Sequence, residues 1–199
     1  VGLSAMCQQN LASIALAREI KRRAPGVLTL LGGSNATEPM GSAMLRMTEA
    51  FDFVFSGEAD LELPRFCRDY LDHGRLPEGR VVRCGAAQPL DRVAAPDYDD
   101  YYDEVARYRE ADPLAAAAPI WLIFESSRGC WWADRSRCAF CGFIAHGSTY
   151  RSKSPERVLE EIRGLTRRYG VHELFAADTI MSPQLPATVL PALAADNPG

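Results

Sequence analysis

Apolar positions along the first eighty residues alternate between two periods. Residues 1–6 (VGLSAM) are short, apolar and strand-like. Residues 10–23 place Leu11, Ile14, Ala15 and Ile20 on one helical face. They end in Lys21, Arg22 and Arg23, cations suited to a helix C-terminus, and Pro25-Gly26 stops the helix. The run VLTLL (27–31) predicts a strand buried on both faces, closed by Gly32-Gly33. Met44, Leu45 and Thr48 predict a helix over 41–50, and FVF (53–55) predicts a third strand ending in Ser56-Gly57-Glu58. Residues 60–72 read as a helix with Leu61, Leu63, Phe66, Cys67, Tyr70 and Leu71 inward. Strand and helix in alternation predict a doubly wound α/β unit over residues 1–85. Its ligand edge lies at the strands' carboxyl ends: Ser4, Gly32-Gly33 and Gly57-Glu58.

The pattern breaks over residues 86–118. Asp91, Asp97, Asp99, Asp100, Asp103 and Glu104 crowd around Tyr98, Tyr101 and Tyr102, and PLAAAAP follows. This reads as a linker with one short helix. From 119 to 199 a second βα series begins with the strand IWLIFE (120–125). The clearest helix then starts at Ser154 as N-cap with Pro155 at its first position. Val158, Leu159, Ile162 and Leu165 form its stripe, and Gly170 ends it. ELFAAD (173–178) predicts another strand, and 184–195 a helix interrupted by Pro186 and Pro191.

Composition changes this picture little. At 47% hydrophobic, 24% charged and net charge −4, the chain offers no electrostatic case for nucleic acid or anionic lipid. No window approaches ~18 consecutive apolar residues, so no membrane span is expected. The N-terminus lacks the basic region of a signal peptide, and a cytoplasmic location is expected. The chain opens as if mid-strand at Val1 and stops after a second helix. It is therefore expected to be an internal segment of a longer protein, which alone would not turn over substrate.

The cysteines carry the chemistry. Cys7, Cys67 and Cys84 stand apart and read as buried, reduced thiols. Cys130, Cys138 and Cys141 form C-x7-C-x2-C within SSRGCWWADRSRCAFCGF (126–143), at the end of a predicted strand. Two readings stay open. With His146 as fourth ligand the loop would be a Cys3His zinc site. Three thiolates alone suit a [4Fe–4S] cluster whose fourth iron stays open. Phe140 could cover such a cluster or a bound adenine, or serve an ordinary packing role.

The cysteine loop, its Arg128-Gly129 lead-in and YRSKSPERVLEEI after it resemble the radical S-adenosylmethionine (SAM) superfamily. More closely, GCWWADRSRCAFCGF resembles cobalamin-dependent members that mature ribosomally synthesised peptides (RiPPs) as C-methyltransferases. The first gap departs from the commoner C-x3-C-x2-C and suits this subgroup. The resemblance implies a partial cobalamin-binding (Rossmann-like) domain followed by the first βα units of a partial TIM barrel. Cys130, Cys138 and Cys141 would ligate the cluster, SAM would take the open iron, Phe140 would contact adenine, and Asp178 would lie near the methionine moiety. Ser4-Ala5-Met6, followed after 25 residues by Gly32-Gly33, resembles the family's S-x-L and Gly-Gly elements that hold cobalamin. SGEAD (56–60) resembles its Gly-Glu turn.

The implied reaction is methylation of a precursor peptide through a 5′-deoxyadenosyl radical and methylcobalamin, with a flavodoxin- or ferredoxin-type electron donor. No nucleic-acid or membrane partner is expected. Thiomethylation, rearrangement and a zinc-stapled, non-catalytic α/β binding module remain alternatives. Trp131 and Trp132 could shield the cluster from water or face the cobalamin, with packing of the loop the reading preferred for Trp132. Tyr150 reads as a surface or packing residue, Arg151 and Lys153 as a solvated helix entrance, and His73 and His172 as loop residues.

Overall fold

A computed structural model describes residues 1–112, 118–136, 138–141 and 149–196. It divides into two compact units, residues 1–87 and 88–199.

The first unit is an α/β layer structure. Its strands are β1 (Gly2–Ser4), β2 (Leu30–Gly32), β3 (Phe53–Ser56) and β4 (Val81–Arg83); its helices are α1 (Asn10–Arg23), α2 (Met40–Met47) and α3 (Glu62–His73). The four strands run parallel in the order β1-β2-β3-β4. Because side chains alternate across a strand, neighbours on β2 and β3 serve opposite faces. Leu31 and Val54 join Ile14 and Ala17 of α1 and Met44 of α2. Leu30, Phe53 and Phe55 meet Phe66 of α3, whose ring stands edge-on to both phenylalanines. The sheet is thus covered on both faces, as apolar parallel strands require.

Three expectations change in this unit. β2 begins at Leu30 rather than Val27, because the Thr29 N–H and hydroxyl both turn to the Asp52 carboxylate, at 2.6 and 3.0 Å. The inward faces of the helices are narrower than predicted: Leu11, Leu61 and Leu71 are exposed, and the buried face of α1 is Ser13, Ile14 and Ala17. Strand β4 was not expected; Val81 and Val82 pair with Val54 and Phe55.

In the second unit β5 (Leu122–Phe124) pairs in parallel with β8 (Leu174–Ala176), and β6 (Ser127–Arg128) pairs antiparallel with β7 (Arg151–Ser152). Helix α5 (Pro155–Tyr169) follows β7, and α6 (Val189–Asp196) follows β8. The Ser154 hydroxyl accepts the Arg157 N–H at 3.2 Å, and Gly170 closes α5 in the left-handed region at φ 65°. Val158 and Ile162 of α5 pack with Leu185 and Val189 beneath Phe124 and Leu174. Pro186 lies in the turn before α6, and Pro191 falls in its first turn, where no intrahelical N–H bond is lost.

The acidic, tyrosine-rich segment belongs to this unit. It holds a 3-10 turn (Leu90–Arg92) and helix α4 (Asp99–Ala111). The Tyr98 hydroxyl donates to the Ile123 carbonyl at 2.5 Å and accepts the Ile123 N–H at 3.2 Å, so it satisfies the side of β5 turned away from β8. Tyr102 stacks on Tyr169 of α5 at 4.9 Å, and Arg168 pairs with Asp97 and Asp99. No helix among the described residues is long and apolar enough to cross a membrane.

Candidate functional site

The thiol loop springs from the carboxyl end of β5 and is bracketed by β6 and β7, a pairing of only two residues on each side. Within it, Asp134 N–H donates to the Cys130 carbonyl at 3.3 Å and Ser136 N–H to the Trp132 carbonyl at 2.8 Å, forming a turn after the first thiol. Cys141 N–H donates to the Cys138 carbonyl at 3.2 Å, closing the C-x2-C turn. Cys130 is half-buried, Cys138 and Cys141 are exposed, and all three are free thiols. Phe140, between the paired cysteines, is 93% exposed. Trp131 and Trp132 meet edge-to-face at 6.0 Å, and the Arg135 guanidinium lies 5.9 Å from the Trp131 ring centre. Among the described residues no three His, Cys, Asp or Glu side chains are gathered so as to hold a metal ion. His146 lies outside the described residues.

The base of the loop is more tightly built than its tip. Ser126 and Ser127 are buried, and both backbone N–H groups donate to Oδ1 of Asp178, at 2.8 and 3.0 Å. The Ser126 hydroxyl donates to Oδ2 of the same carboxylate. Residues just past Asp178 continue the support: Ile180 carbonyl accepts the Ser127 hydroxyl at 3.3 Å, and Met181 carbonyl accepts the Trp131 indole N–H at 3.1 Å. On the opposite side Lys153 N–H donates to the Ser126 carbonyl at 2.8 Å, and Tyr150 N–H donates to Asp134 at 3.2 Å. Both oxygens of Asp178 are therefore engaged on the chain that leads into Cys130.

Lys153 departs from the expected solvated helix entrance. Its ammonium lies 2.6 Å from Glu161 Oε2, and the two side chains are 1% and 0% exposed. Only a paired charge tolerates such burial. The pair fastens α5 to the strand that leaves the loop. Glu161 was legible in principle, because it falls on the buried face with Val158, Ile162 and Leu165. Ser126 and Ser127 gave no signal beyond a polar pair after a strand.

The second group of expected binding residues lies at the carboxyl edge of the first unit's sheet. Ser4 is the register partner of Gly32, and Ala5 N–H donates to the Gly32 carbonyl at 2.9 Å. A Cβ on Gly32 would meet nothing within 4 Å. One on Gly33, at φ 88°, would stand 2.6 Å from the Ala5 carbonyl oxygen and 3.0 Å from Ser4 Oγ. Gly33 is thus required by the close approach of the chain's own backbone, whereas Gly32 faces open space. Gly57 has the same kind of constraint: at φ 110° its Cβ would lie 2.4 Å from the Cys84 carbonyl oxygen. Glu58, next along, accepts the Ala87 N–H at 2.9 Å.

The isolated cysteines are not uniformly buried. Cys7 is exposed, whereas Cys67 and Cys84 are partly buried. Burial, with the Glu62 and Asp60 charges nearby, pushes the Cys84 thiol up to about 11, so it stays neutral and unreactive near pH 7.

No protein-family model matches the chain. Over 159 residues it is 30% identical to the hopanoid C-3 methylase of Methylococcus capsulatus, covering 75% of this chain and 29% of that protein. Over 194 residues it is 28% identical to an uncharacterized methyltransferase of Pyrococcus horikoshii, covering 90% of this chain and 39% of that protein. The chain spans about a third of the length of these curated relatives, and both are named for methyl transfer.

Proposed function

We propose that this chain is part of a cobalamin-dependent radical SAM methyltransferase acting on a ribosomally made precursor peptide. The observation that carries the reading is the loop with three free thiols, rooted in buried hydrogen bonds at the carboxyl end of a parallel strand. Barrel enzymes assemble their chemistry at that end. Similarity to two proteins named for methyl transfer supports the reaction class. The peptide acceptor rests on the resemblance of the thiol loop alone, since the one relative named for its substrate is named for a hopanoid.

The donor set fits an iron–sulfur cluster in chemistry: three soft thiols, none spent in a disulfide. Metal sites of this kind commonly gather their ligands only on binding, so separate thiols at the tip are compatible with a fixed base. Cys130, Cys138 and Cys141 would hold the cluster and leave one iron for the amino and carboxylate groups of SAM. Phe140, exposed beside two of them, offers its ring to the adenine. When bound, the cluster supplies the electron that cleaves SAM, and cobalamin supplies the transferred methyl group. Ser4 and the open face of Gly32 would receive the nucleotide tail of cobalamin, while Gly33 keeps the loop beside them in shape.

The test is loading. Metal-free reduced protein is reconstituted anaerobically with ferrous iron, sulfide and zinc in competition. The reading expects about four irons and four sulfides per chain. Stoichiometric zinc with no iron would reject it in favour of a zinc-stapled binding module.

A further inference from the structure

The thiol loop and the segment after β8 are joined by a set of contacts that the ligand role expected for Asp178 does not use. Three donors converge on its carboxylate: the N–H groups of Ser126 and Ser127 and the Ser126 hydroxyl. A carboxylate offers about four lone-pair positions, and here both oxygens point back into the protein. The serines it holds are 1% and 2% exposed, so removing the carboxylate strands two buried N–H groups whose hydrogen bonds run to it. Cys130 lies four residues past Ser126 and is the half-buried thiol of the three. Further along the two segments, five residues past Ser126 and three past Asp178, the Trp131 indole reaches the Met181 carbonyl, so the same pair of segments is tied at both ends.

We infer that Asp178 is a positioning residue for the thiol loop: its carboxylate fixes Ser126 and Ser127, and through them the place of Cys130, rather than touching SAM. The inference rests on the metal-holding reading of the loop given above. It assigns the three thiols unequal roles. Cys130 is held in advance by Asp178, whereas Cys138 and Cys141, exposed on their own turn, close onto the metal afterwards. Outer partners that orient ligands in this way typically contribute ~10- to 100-fold to metal affinity.

The experiment uses cobalt(II) as the probe, because thiolate coordination gives a charge-transfer band that reads binding without turnover. Metal-free reduced protein is titrated as wild type, Asp178→Ala, Asp178→Asn and Ser126→Ala, and the alkylation rate of each cysteine is measured in the unloaded protein by mass spectrometry. Asp178→Ala is expected to weaken cobalt binding ~10-fold or more and to speed alkylation of Cys130 several-fold, leaving Cys138, Cys141, Cys67 and Cys84 at their wild-type rates. Asp178→Asn, which keeps one acceptor oxygen for the two N–H groups, should recover much of both effects. Should Asp178→Ala fail to fold, Ser126→Ala decides: it must move cobalt affinity and Cys130 reactivity in the stated direction.

Wild-type cobalt affinity and Cys130 reactivity in these variants would overturn the inference. So would a rise in Cys67 and Cys84 reactivity equal to that of Cys130, which marks general loosening. A wild-type protein that gives no thiolate–cobalt band fails the metal-holding reading itself, and with it this inference; a normal wild-type band with unaffected Asp178 variants fails the inference alone.

Discussion

Replacing Lys153 by Met leaves the Glu161 carboxylate buried opposite an apolar side chain. The pair is 2.6 Å apart and 1% and 0% exposed, so solvent neither screens the attraction nor rescues the orphaned charge. Breaking a buried pair from one side costs about 3–5 kcal/mol, a large share of the roughly 5–15 kcal/mol that a domain has. The chain's tryptophans, Trp121, Trp131 and Trp132, all lie in the second unit, so their fluorescence follows that unit alone. With a urea slope of about 2 kcal/mol/M, Lys153→Met should lower the fluorescence midpoint by roughly 1.5–2.5 M. The double change Lys153→Met with Glu161→Leu removes both charges and should regain most of that loss, because an apolar pair of similar volume is about neutral relative to the ion pair. A midpoint shift under about 0.5 M for the single variant, or a double variant no better than the single, would refute the claim that the pair fastens α5 to the loop base.

Other outcomes follow from the geometry. Gly33→Ala should destabilise the first unit by about 1–3 kcal/mol, since its Cβ meets the Ala5 backbone, whereas Gly32→Ala should melt like wild type by circular dichroism; equal melting of the two would contradict the packing described. Burial works against ionisation of Asp52, but Lys21 and the two Thr29 donors outweigh it and hold the carboxyl below its ordinary range. The stability it contributes is present above the unfolded-state value and is lost as pH falls below about 4. The difference in melting temperature between wild type and Asp52→Asn should therefore narrow on acidification from pH 6 to 3, and a constant difference would argue against it. Tyr98→Phe unpairs Ile123 on the open side of β5; a loss of about 1–2 kcal/mol in the tryptophan transition is expected, with light scattering rising as the edge is exposed.

What the sequence disclosed depended on how local the cause was. Helix α5 was readable end to end because Ser154, Pro155 and Gly170 each act within a few residues of their own position. The limits of α1 were set by its basic last turn and the Pro25-Gly26 stop. The two-residue pairing of β6 with β7 was not readable, since its partners are separated by the whole thiol loop and carry no apolar alternation. Lys153 looked like a surface cation because its partner lies a further two turns along the next helix, and only the packing of α5 buries both. Gly33 illustrates how a backbone constraint of the fold itself can look like a ligand site in the sequence. The glycine pair stood out as a place for a ligand, yet the structure assigns one glycine to the approach of Ala5 and leaves the other open. Asp178 was expected near the methionine moiety of SAM on resemblance alone, and its contacts to the buried Ser126 and Ser127, far away in sequence, carried no local signal.

The thiol loop as holder of a cluster with one open iron is the central claim, and electron paramagnetic resonance of the reduced, reconstituted protein tests it most directly. Spectra are recorded with and without SAM for the wild type and for Cys130→Ala, Cys138→Ala, Cys141→Ala and Cys67→Ala. The account predicts a cluster signal in wild type and Cys67→Ala that shifts when SAM is added, and its loss in each of the three loop variants. A signal that survives removal of Cys138, or one indifferent to SAM in the wild type, would contradict it.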